Sequence, residues 1–288
     1  MPFDTISFLS DYGTADEFVG VVKSVVRGIA PQATVIDLTH EVPPHDVRAG
    51  SLTLARAIQY VAPGVILAVV DPGVGTARKA VAVQVAGGEG VLVGPDNGLL
   101  APAVAMAGGA ERAVTLTVED YHLPSPGPTF AGRDVFAPVA AHLCNGAALT
   151  EVGEEIDPAA LLPGIVPISR MEDGRLLADV LWVDRYGNAQ LNLSIEELPA
   201  ADPTIARFGL GVGGRTRWAS VATTYADIRP GEVGLVVDSY GLVSVCADRS
   251  SAAAELGLSA GDEITVELLD DAPARPQPVT VTLGRGPR

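Results

Sequence analysis

Hydrophobic and polar positions along the first part of the chain predict strands and helices in alternation. Apolar runs of strand length lie at 5–9, 34–38, 65–70, 81–85 and 91–93. Segments 16–29 and 46–61 instead place apolar residues at helical spacing, and a late helix is predicted at 135–143. This order is typical of βαβ units. We therefore expect an N-terminal α/β domain over residues 1–166, with a mostly parallel sheet flanked by helices.

The pattern changes after residue 166. Residues 167–175 combine proline, glycine and charged side chains, which predicts a linker and a turn. Beyond them, short apolar runs separated by turn residues predict a smaller C-terminal all-β domain over 176–288, barrel-like in form. Its glycine-rich segment 209–214 predicts a hairpin turn, and 251–256 a short helix. The predicted strands are 177–183, 189–193, 233–237, 242–245, 263–268 and 279–283.

Composition indicates a well-packed protein and excludes some classes of binding partner. Of the 288 residues, 48% are hydrophobic and 19% are charged, which is ample for a large core. The net charge of −16 excludes the basic surface of a nucleic-acid binder and disfavours an anionic membrane surface. No apolar run is long enough to cross a membrane, and the first residues lack a signal-peptide pattern. We expect a cytoplasmic protein.

The cysteines and histidines do not form a metal-binding or redox motif. Cys144 and Cys246 each lie in an apolar stretch, which favours core packing over a disulfide. His40 and His45 flank two prolines and share no helix face, so we expect surface or helix-cap roles for them and no metal site.

Three loops follow predicted parallel strands, at the sheet edge where open α/β sheets bind ligands. Each of these loops, 10–14, 71–78 and 94–98, carries a carboxylate beside glycines. Carboxylates in such loops can hold a ribose diol or an ammonium group, whereas turn and helix-cap roles are the alternative. The residues alone therefore predict a polar small-molecule site on an α/β plus β protein.

Six segments, taken together, resemble the S-adenosyl-L-methionine (SAM) hydroxide adenosyltransferase family, which is related to the fluorinase and chlorinase enzymes. They occur in the order of the family and span nearly the whole chain. The segments are FLSDYGTADEFVG (8–20), VVDPGVGTAR (69–78), GPDNGLL (94–100), PTFAGRDVFAPVAAHL (128–143), VDRYGNAQLNL (183–193) and DSYGLVSV (238–245).

The resemblance implies a reaction and an assembly. Water would attack C5′ of SAM and give adenosine and L-methionine, with no cofactor and no metal. The sulfonium provides a leaving group that departs as a neutral thioether, so the enzyme needs only to desolvate and align a water opposite the C5′–S bond. The resemblance also implies a C-terminal β-barrel and a homotrimer with each site between neighbouring subunits.

Substrate-binding roles follow from the same resemblance. Asp11 would accept hydrogen bonds from the ribose diol. The other matches are Asp16 and Asp184 near the methionine ammonium, Asn188 at the adenine, Ser239 at the methionine carboxylate and Tyr240 at a position that is arginine in the halogenases.

The family's hydrolases place an Asp–Arg–His set around the attacking water. Asp71 and Arg78 match the first two, and we expect Arg78 to lower the pKa of Asp71. The family reads FHGRD where this chain reads FAGRD at 130–134, so Ala131 occupies the histidine position. Loss of such a group typically costs about 10²–10⁴-fold in rate, which predicts a hydrolase that binds substrate but turns it over slowly.

Two other functions compete with this one. A SAM-dependent halogenase has an aromatic residue at the position of Asp71 and lacks the equivalent of Arg78, and a buried carboxylate would repel a halide. A protein that binds SAM or adenosine without catalysis is the alternative that Ala131 supports.

Overall fold

The computed structural model describes residues 3–200, 202, 204 and 206–269. The chain divides into two compact units after Val166. The strand predicted at 279–283 lies outside the described residues. No helix in the described part of the chain is long and apolar enough to span a membrane.

A seven-stranded sheet forms the centre of the first unit. Its strands are β1 (Thr5–Ser10), β2 (Thr34–Thr39), β3 (Gly64–Val69), β4 (Ala80–Val85), β5 (Gly90–Pro95), β6 (Arg112–Thr115) and β7 (Glu154–Ile156). They stand in the order β2-β1-β3-β5-β4-β6-β7. The first four strands in this sheet order, β2, β1, β3 and β5, pair in parallel, and the remaining pairings are antiparallel. The mostly parallel sheet predicted for this unit is confirmed.

Helices cover both faces of this sheet: α1 (Phe18–Ile29), α2 (Val47–Ala57), α3 (Ala101–Met106) and α4 (Ala137–Cys144). Successive side chains of a strand point to opposite faces. Ile6 and Phe8 of β1 accordingly share a core with α1 and α4, whereas Leu9 shares a second core with α2 and α3. Cys144 is fully buried in the first of these cores, as predicted.

The helix boundaries differ from the prediction in three places. Helix α1 begins at Phe18 rather than at residue 16. Asp46 does not lie inside α2 but caps it, because its Oδ1 accepts a hydrogen bond from the Ala49 N–H at 2.8 Å. The late helix is preceded by one π-helical turn, Gly132–Phe136.

The second unit is a closed barrel. Its strands are β8 (Arg170–Glu172), β9 (Arg175–Val183), β10 (Ala189–Leu191), β11 (Arg207–Val212), β12 (Arg215–Val221), β13 (Val233–Val237), β14 (Val243–Cys246) and β15 (Glu263–Leu268). The order β10-β14-β13-β12-β11-β15-β9 closes on itself through the β10–β9 pairing, which makes seven strands, and β8 extends the sheet beside β9. The predicted barrel is confirmed.

Three strands of this unit were not predicted. Within 167–175, predicted as a linker, Arg170–Glu172 forms the short strand β8. Around the predicted hairpin turn, the chain forms β11 and β12, and only Gly213 and Gly214 make the turn, with φ of 54° and 77°. The short helix is confirmed as α5 (Ala252–Leu256), and Cys246 is fully buried.

Short 3₁₀ turns complete the described structure, at Ile58–Tyr60, Ala86–Gly88, Glu119–Tyr121, Leu149–Glu151, Pro158–Ala160, Ile195–Glu197 and Tyr225–Asp227.

Candidate functional site

The three loops predicted to bind a ligand lie at one edge of the first sheet. Strand β3 pairs in parallel with β1 on one side and with β5 on the other, so the carboxyl ends of all three strands are neighbours. This is the edge at which open α/β sheets bind ligands.

Two of these loops open onto a common cavity of about 250 Å³ in the first unit. Asp11 follows β1 and Asp71 follows β3, and both line the cavity. Ala131 lines it from the segment before the π-helical turn. The structure therefore brings together three of the residues predicted for the site. The full lining is Asp11, Tyr12, Phe18, Pro44, His45, Val69, Asp71, Val74, Thr129, Phe130, Ala131 and Gly132.

Asp71 forms a two-point ion pair with Arg78. The Nε–H of Arg78 donates to Oδ1 of Asp71 at 3.0 Å, and its Nη2–H donates to Oδ2. Both side chains are largely buried, and the guanidinium also lies 5.3 Å from the ring centroid of Phe136. This fork fixes the plane of the Asp71 carboxylate.

Burial raises the pKa of Asp71 above its ordinary value, and the charge and hydrogen bonds of Arg78 oppose that effect without cancelling it. Arg78 lowers the pKa of Asp71 as expected, but the net pKa of this carboxyl is raised, because burial has the larger effect. The sequence shows the partner of the carboxylate, but it does not show how much of its hydration the fold removes.

The loop after β1 holds Asp11 in place. The N–H of His45 donates to Oδ2 of Asp11 at 2.8 Å, and the N–H of Gly13 donates to the carbonyl of His40 at 2.7 Å. The loop is thus hydrogen-bonded to segment 40–45 at Asp11 itself and at Gly13.

His40 is not a surface residue, as had been expected, but is buried beneath this loop. Its Nδ1 hydrogen-bonds Oγ of the fully buried Ser10 at 2.8 Å, and its Nε2 lies 3.2 Å from Oδ1 of Asp37. Its ring also packs edge-on against Phe8 at 4.6 Å. The surface role failed as a prediction because the hydrogen-bond partner of His40, Ser10, lies 30 positions away along the chain.

Aromatic side chains form one wall of the cavity. The ring of Tyr12 lies 5.7 Å from that of Phe18 and 5.6 Å from that of Phe130. Burial, and after it the carboxylates of Asp11 and Asp71, raise the pKa of Tyr12 well above its ordinary value. Tyr12 therefore stays neutral at physiological pH. Sequence analysis did not single out this residue, although it lies inside one of the matching segments.

Two other predicted carboxylates lie apart from this cavity. Asp96, in the third loop, accepts a hydrogen bond from the Leu162 N–H at 2.8 Å, and Asn97 bonds the carbonyl of Val70. These contacts are the turn and bracing roles that were the alternative for this loop. Asp16 is exposed and does not line the cavity.

In the second unit, Asp184 and Asn188 form one hydrogen-bonded turn. Oδ1 of Asp184 accepts from the N–H groups of Tyr186 and Asn188, and its Oδ2 accepts from Nδ2 of Asn188 at 2.8 Å. Gly187 permits this turn, with φ of 84° and its Cα packed against Ser251. The turn presents the remaining amide oxygen of Asn188 on a rigid backbone.

Ser239 and Tyr240 lie on the turn between β13 and β14, and both are exposed. Asp238 organises this turn, because its Oδ1 accepts from the N–H groups of Tyr240 and Leu242. Its Oδ2 accepts from Gln190 at 2.6 Å and from Ser244 at 3.0 Å.

The carboxylates of Asp184 and Asp238 both raise the pKa of Tyr225. The pKa of Tyr225 is raised first by burial, then by Cys246 and by these two carboxylates. The turns that carry Asp184 and Asp238 therefore lie on the same part of the barrel. Tyr225 and Gln190 could not be singled out from the sequence, because their partners lie far away along the chain.

Metal ligands do not cluster in the described part of the chain: His, Cys, Asp and Glu form no group of three or more that could hold an ion.

An α/β unit that presents paired carboxylates beyond its parallel strands, followed along the chain by a closed barrel, defines a small-molecule-binding protein of two-unit architecture. The sequence profile of the SAM hydroxide adenosyltransferase N-terminal domain matches residues 6–153, and that of the C-terminal domain matches residues 178–265. This chain belongs to the SAM hydroxide adenosyltransferase family.

Individual relatives agree with the family. (R)-S-adenosyl-L-methionine hydrolase from Salinispora tropica is 44% identical over 92% of this chain and 98% of its own length. The protein of that name from Thermus thermophilus is 38% identical over 89% of this chain and 96% of its own length. A fluorinase from Actinoplanes sp. is more distant, at 27% identity over 91% of this chain and 96% of its own length. Among solved structures, an uncharacterized conserved protein from Thermotoga maritima matches with a TM-score of 0.83 and 33% identity, over 91% of this chain and 99% of that one.

Proposed function

We propose that this protein is a SAM hydrolase, in which water attacks C5′ of the substrate and gives adenosine and L-methionine. The observation that carries the proposal is the buried Asp71–Arg78 ion pair, in which Asp71 lines the same cavity as Asp11. The names of the more similar relatives support it, since they are SAM hydrolases at 38–45% identity.

The chemistry needs little from the protein beyond placement. The C5′–S electron pair leaves on sulfur and produces a neutral thioether, so no general acid and no cofactor take part. Water supplies the oxygen of the new C5′–O bond and releases one proton. Alignment of water with the C5′–S bond can contribute about 7–11 kcal/mol toward the barrier.

Asp71 is the proposed acceptor for the water's proton. The fork of Arg78 fixes the direction of its lone pairs, and burial makes it a stronger base than an exposed aspartate. Ala131, at the position of the family histidine, offers no side-chain hydrogen bond to the same water. We therefore propose a slow enzyme rather than an inactive one.

The substrate-binding assignments belong to the same proposal. Asp11 accepts from the ribose diol, while the His45 N–H orients its carboxylate. One N–H of Asn188 Nδ2 donates to Asp184, which orients the amide, and Oδ1 of Asn188 accepts from the amino group of adenine. The remaining assignments are Asp16 and Asp184 near the methionine ammonium and Ser239 at the methionine carboxylate, with Tyr240 as a further substrate-binding residue.

A homotrimer with its sites at subunit interfaces completes the proposal. Apolar side chains exposed on the isolated chain are consistent with a partner subunit, and Ile165 and Ile168 are 79% and 81% exposed. Sedimentation equilibrium at the concentration of the assay tests this part, and a monomer that is fully active would contradict it.

Non-catalytic binding of SAM or adenosine is the second candidate, and Ala131 is the observation that favours it. Halide transfer is disfavoured, because the buried carboxylate of Asp71 would repel a halide at the position of the attacking water.

One incubation separates the three functions. The protein is mixed with SAM, with and without chloride, and nucleosides and methionine are quantified over time. Adenosine and methionine in equal amounts, independent of chloride, support hydrolysis. A chlorinated nucleoside would indicate a halogenase, and calorimetric binding without any product would indicate a binding protein.

A further inference from the structure

The hydroxyl of Tyr12 is a polar group in the cavity that no assigned role uses. Tyr12 lines the cavity together with Asp11, Asp71 and Ala131. No hydrogen bond joins its Oη to any other residue in the described ranges, whereas its main-chain N–H donates to Oγ of Ser10. A phenol that is largely buried and has no protein partner is available to a bound molecule.

The surrounding residues hold this hydroxyl in one place. Phe18 and Phe130 contact the Tyr12 ring, the latter edge-on at 5.6 Å. On the remaining side, Oη lies against the backbone of Gly132, where an added Cβ would come within 2.1 Å of it. Any side chain at position 132 would therefore displace the hydroxyl. Gly132 directly follows Ala131, so Oη lies beside the position that lacks a polar side chain.

An attacking water needs two hydrogen-bond acceptors. Its lone pair must face C5′, so both of its O–H groups must point to acceptors on the protein. Asp71 provides one. A phenol that stays neutral, because burial and two nearby carboxylates raise its pKa, can accept the second O–H through a lone pair of its oxygen.

We propose that Tyr12 is a further catalytic residue, whose Oη accepts a hydrogen bond from the attacking water and supplies the contact that Ala131 cannot make. This inference rests on the proposed function. In the step, the water oxygen bonds C5′, the C5′–S pair leaves on sulfur, and the released proton passes to Asp71. Tyr12 orients the water and keeps its own proton.

Tyr12→Phe tests the proposal, because it keeps the ring and removes only Oη. We expect kcat for adenosine release to fall by about 10–10²-fold, while KM and the melting temperature stay as in the parent. Tyr60→Phe, on a side chain that is 73% exposed, is the matched control and leaves kcat unchanged. An unchanged kcat in Tyr12→Phe, or a change confined to KM, would overturn the proposal.

Two further variants separate a contact with water from a structural effect. Ala131→His restores a second polar group, so Tyr12→Phe should cost less in that background, and equal costs in both backgrounds would contradict the shared role. Gly132→Ala moves Oη without deleting it, so it should lower kcat in the parent and have little further effect beside Tyr12→Phe.

If the parent protein releases no adenosine, both the proposed function and this inference fail. If only Tyr12→Phe matches its parent, the inference alone fails.

Discussion

Arg78 holds both carboxylate oxygens of Asp71, through Nε at 3.0 Å and through Nη2, although the Asp71 side chain is only 5% exposed. Burial and this ion pair act on the carboxylate in opposite directions. Burial dominates, so the carboxylate is both oriented by its partner and more basic than an exposed one. These are the two properties required of a group that places a water and accepts its proton.

Asp71→Asn keeps the size of the side chain but removes its basicity. We expect kcat to fall by about 10²–10⁴-fold, because the water loses its proton acceptor. Glu155→Gln removes the carboxylate of an exposed ion pair with Arg112 and serves as the control. Steady-state assays of adenosine release check this, and an Asp71→Asn enzyme with the kcat of the control would contradict the assignment.

The dependence of kcat/KM on pH should reflect the raised pKa of Asp71. The ionised carboxylate is the active form, so kcat/KM falls as pH drops through a pKa that lies above the ordinary range for aspartate. Arg78→Gln removes the charge that opposes this rise in pKa. The acid limb of the profile, where kcat/KM falls as pH drops, should therefore move to still higher pH. Arg112→Gln, at an exposed ion pair, should leave the limb in place. A limb that moves to lower pH in Arg78→Gln would show that another group sets it.

Ala131→His restores the residue of the family pattern. We expect adenosine release to rise by about 10²-fold, at the low end of the effect of a general base, because Tyr12 already contacts the water. Ala131→Leu adds bulk without a hydrogen-bonding group and should give no gain. If Ala131→His has the same activity as the parent, position 131 has no role at the water.

His40→Leu should weaken both the fold and the ribose site. The variant leaves the buried hydroxyl of Ser10 without its partner, which costs about 1–3 kcal/mol in the free energy of unfolding. It also loosens the loop that carries Asp11, so calorimetry should find weaker adenosine binding. Adding Ser10→Ala removes the hydroxyl that has lost its His40 partner and should recover part of the stability. No recovery in the double variant would mean that the ring packing of His40, not this hydrogen bond, supplies its contribution.

Much of the fold could be predicted from local pattern. The apolar run at Val65–Val70 has the length and composition of a strand buried on both faces, and it forms β3 at the centre of the sheet. Strands β11 and β12 were missed because Gly209 and Gly211 lower strand propensity and most side chains of Arg215–Val221 are exposed. Helix α3 was missed because it has only six residues.

The candidate site was predictable in its residues but not in its energetics. The motifs placed Asp11 and Asp71 in loops after strands, and the sheet order brings these two loops to one cavity, which Ala131 also lines. The burial of His40 and the net direction of the pKa of Asp71 depend on segments that meet only in the folded chain. The hydrogen bond from Gln190 to Asp238 likewise spans 48 positions along the sequence.

The most direct test of the account is the fate of the water oxygen. SAM is turned over in ¹⁸O-labelled water, and adenosine and methionine are analysed by mass spectrometry. Attack at C5′ predicts one labelled oxygen in the 5′-hydroxyl of adenosine and none in methionine. Unlabelled adenosine, label in methionine, or no adenosine at all would contradict the account.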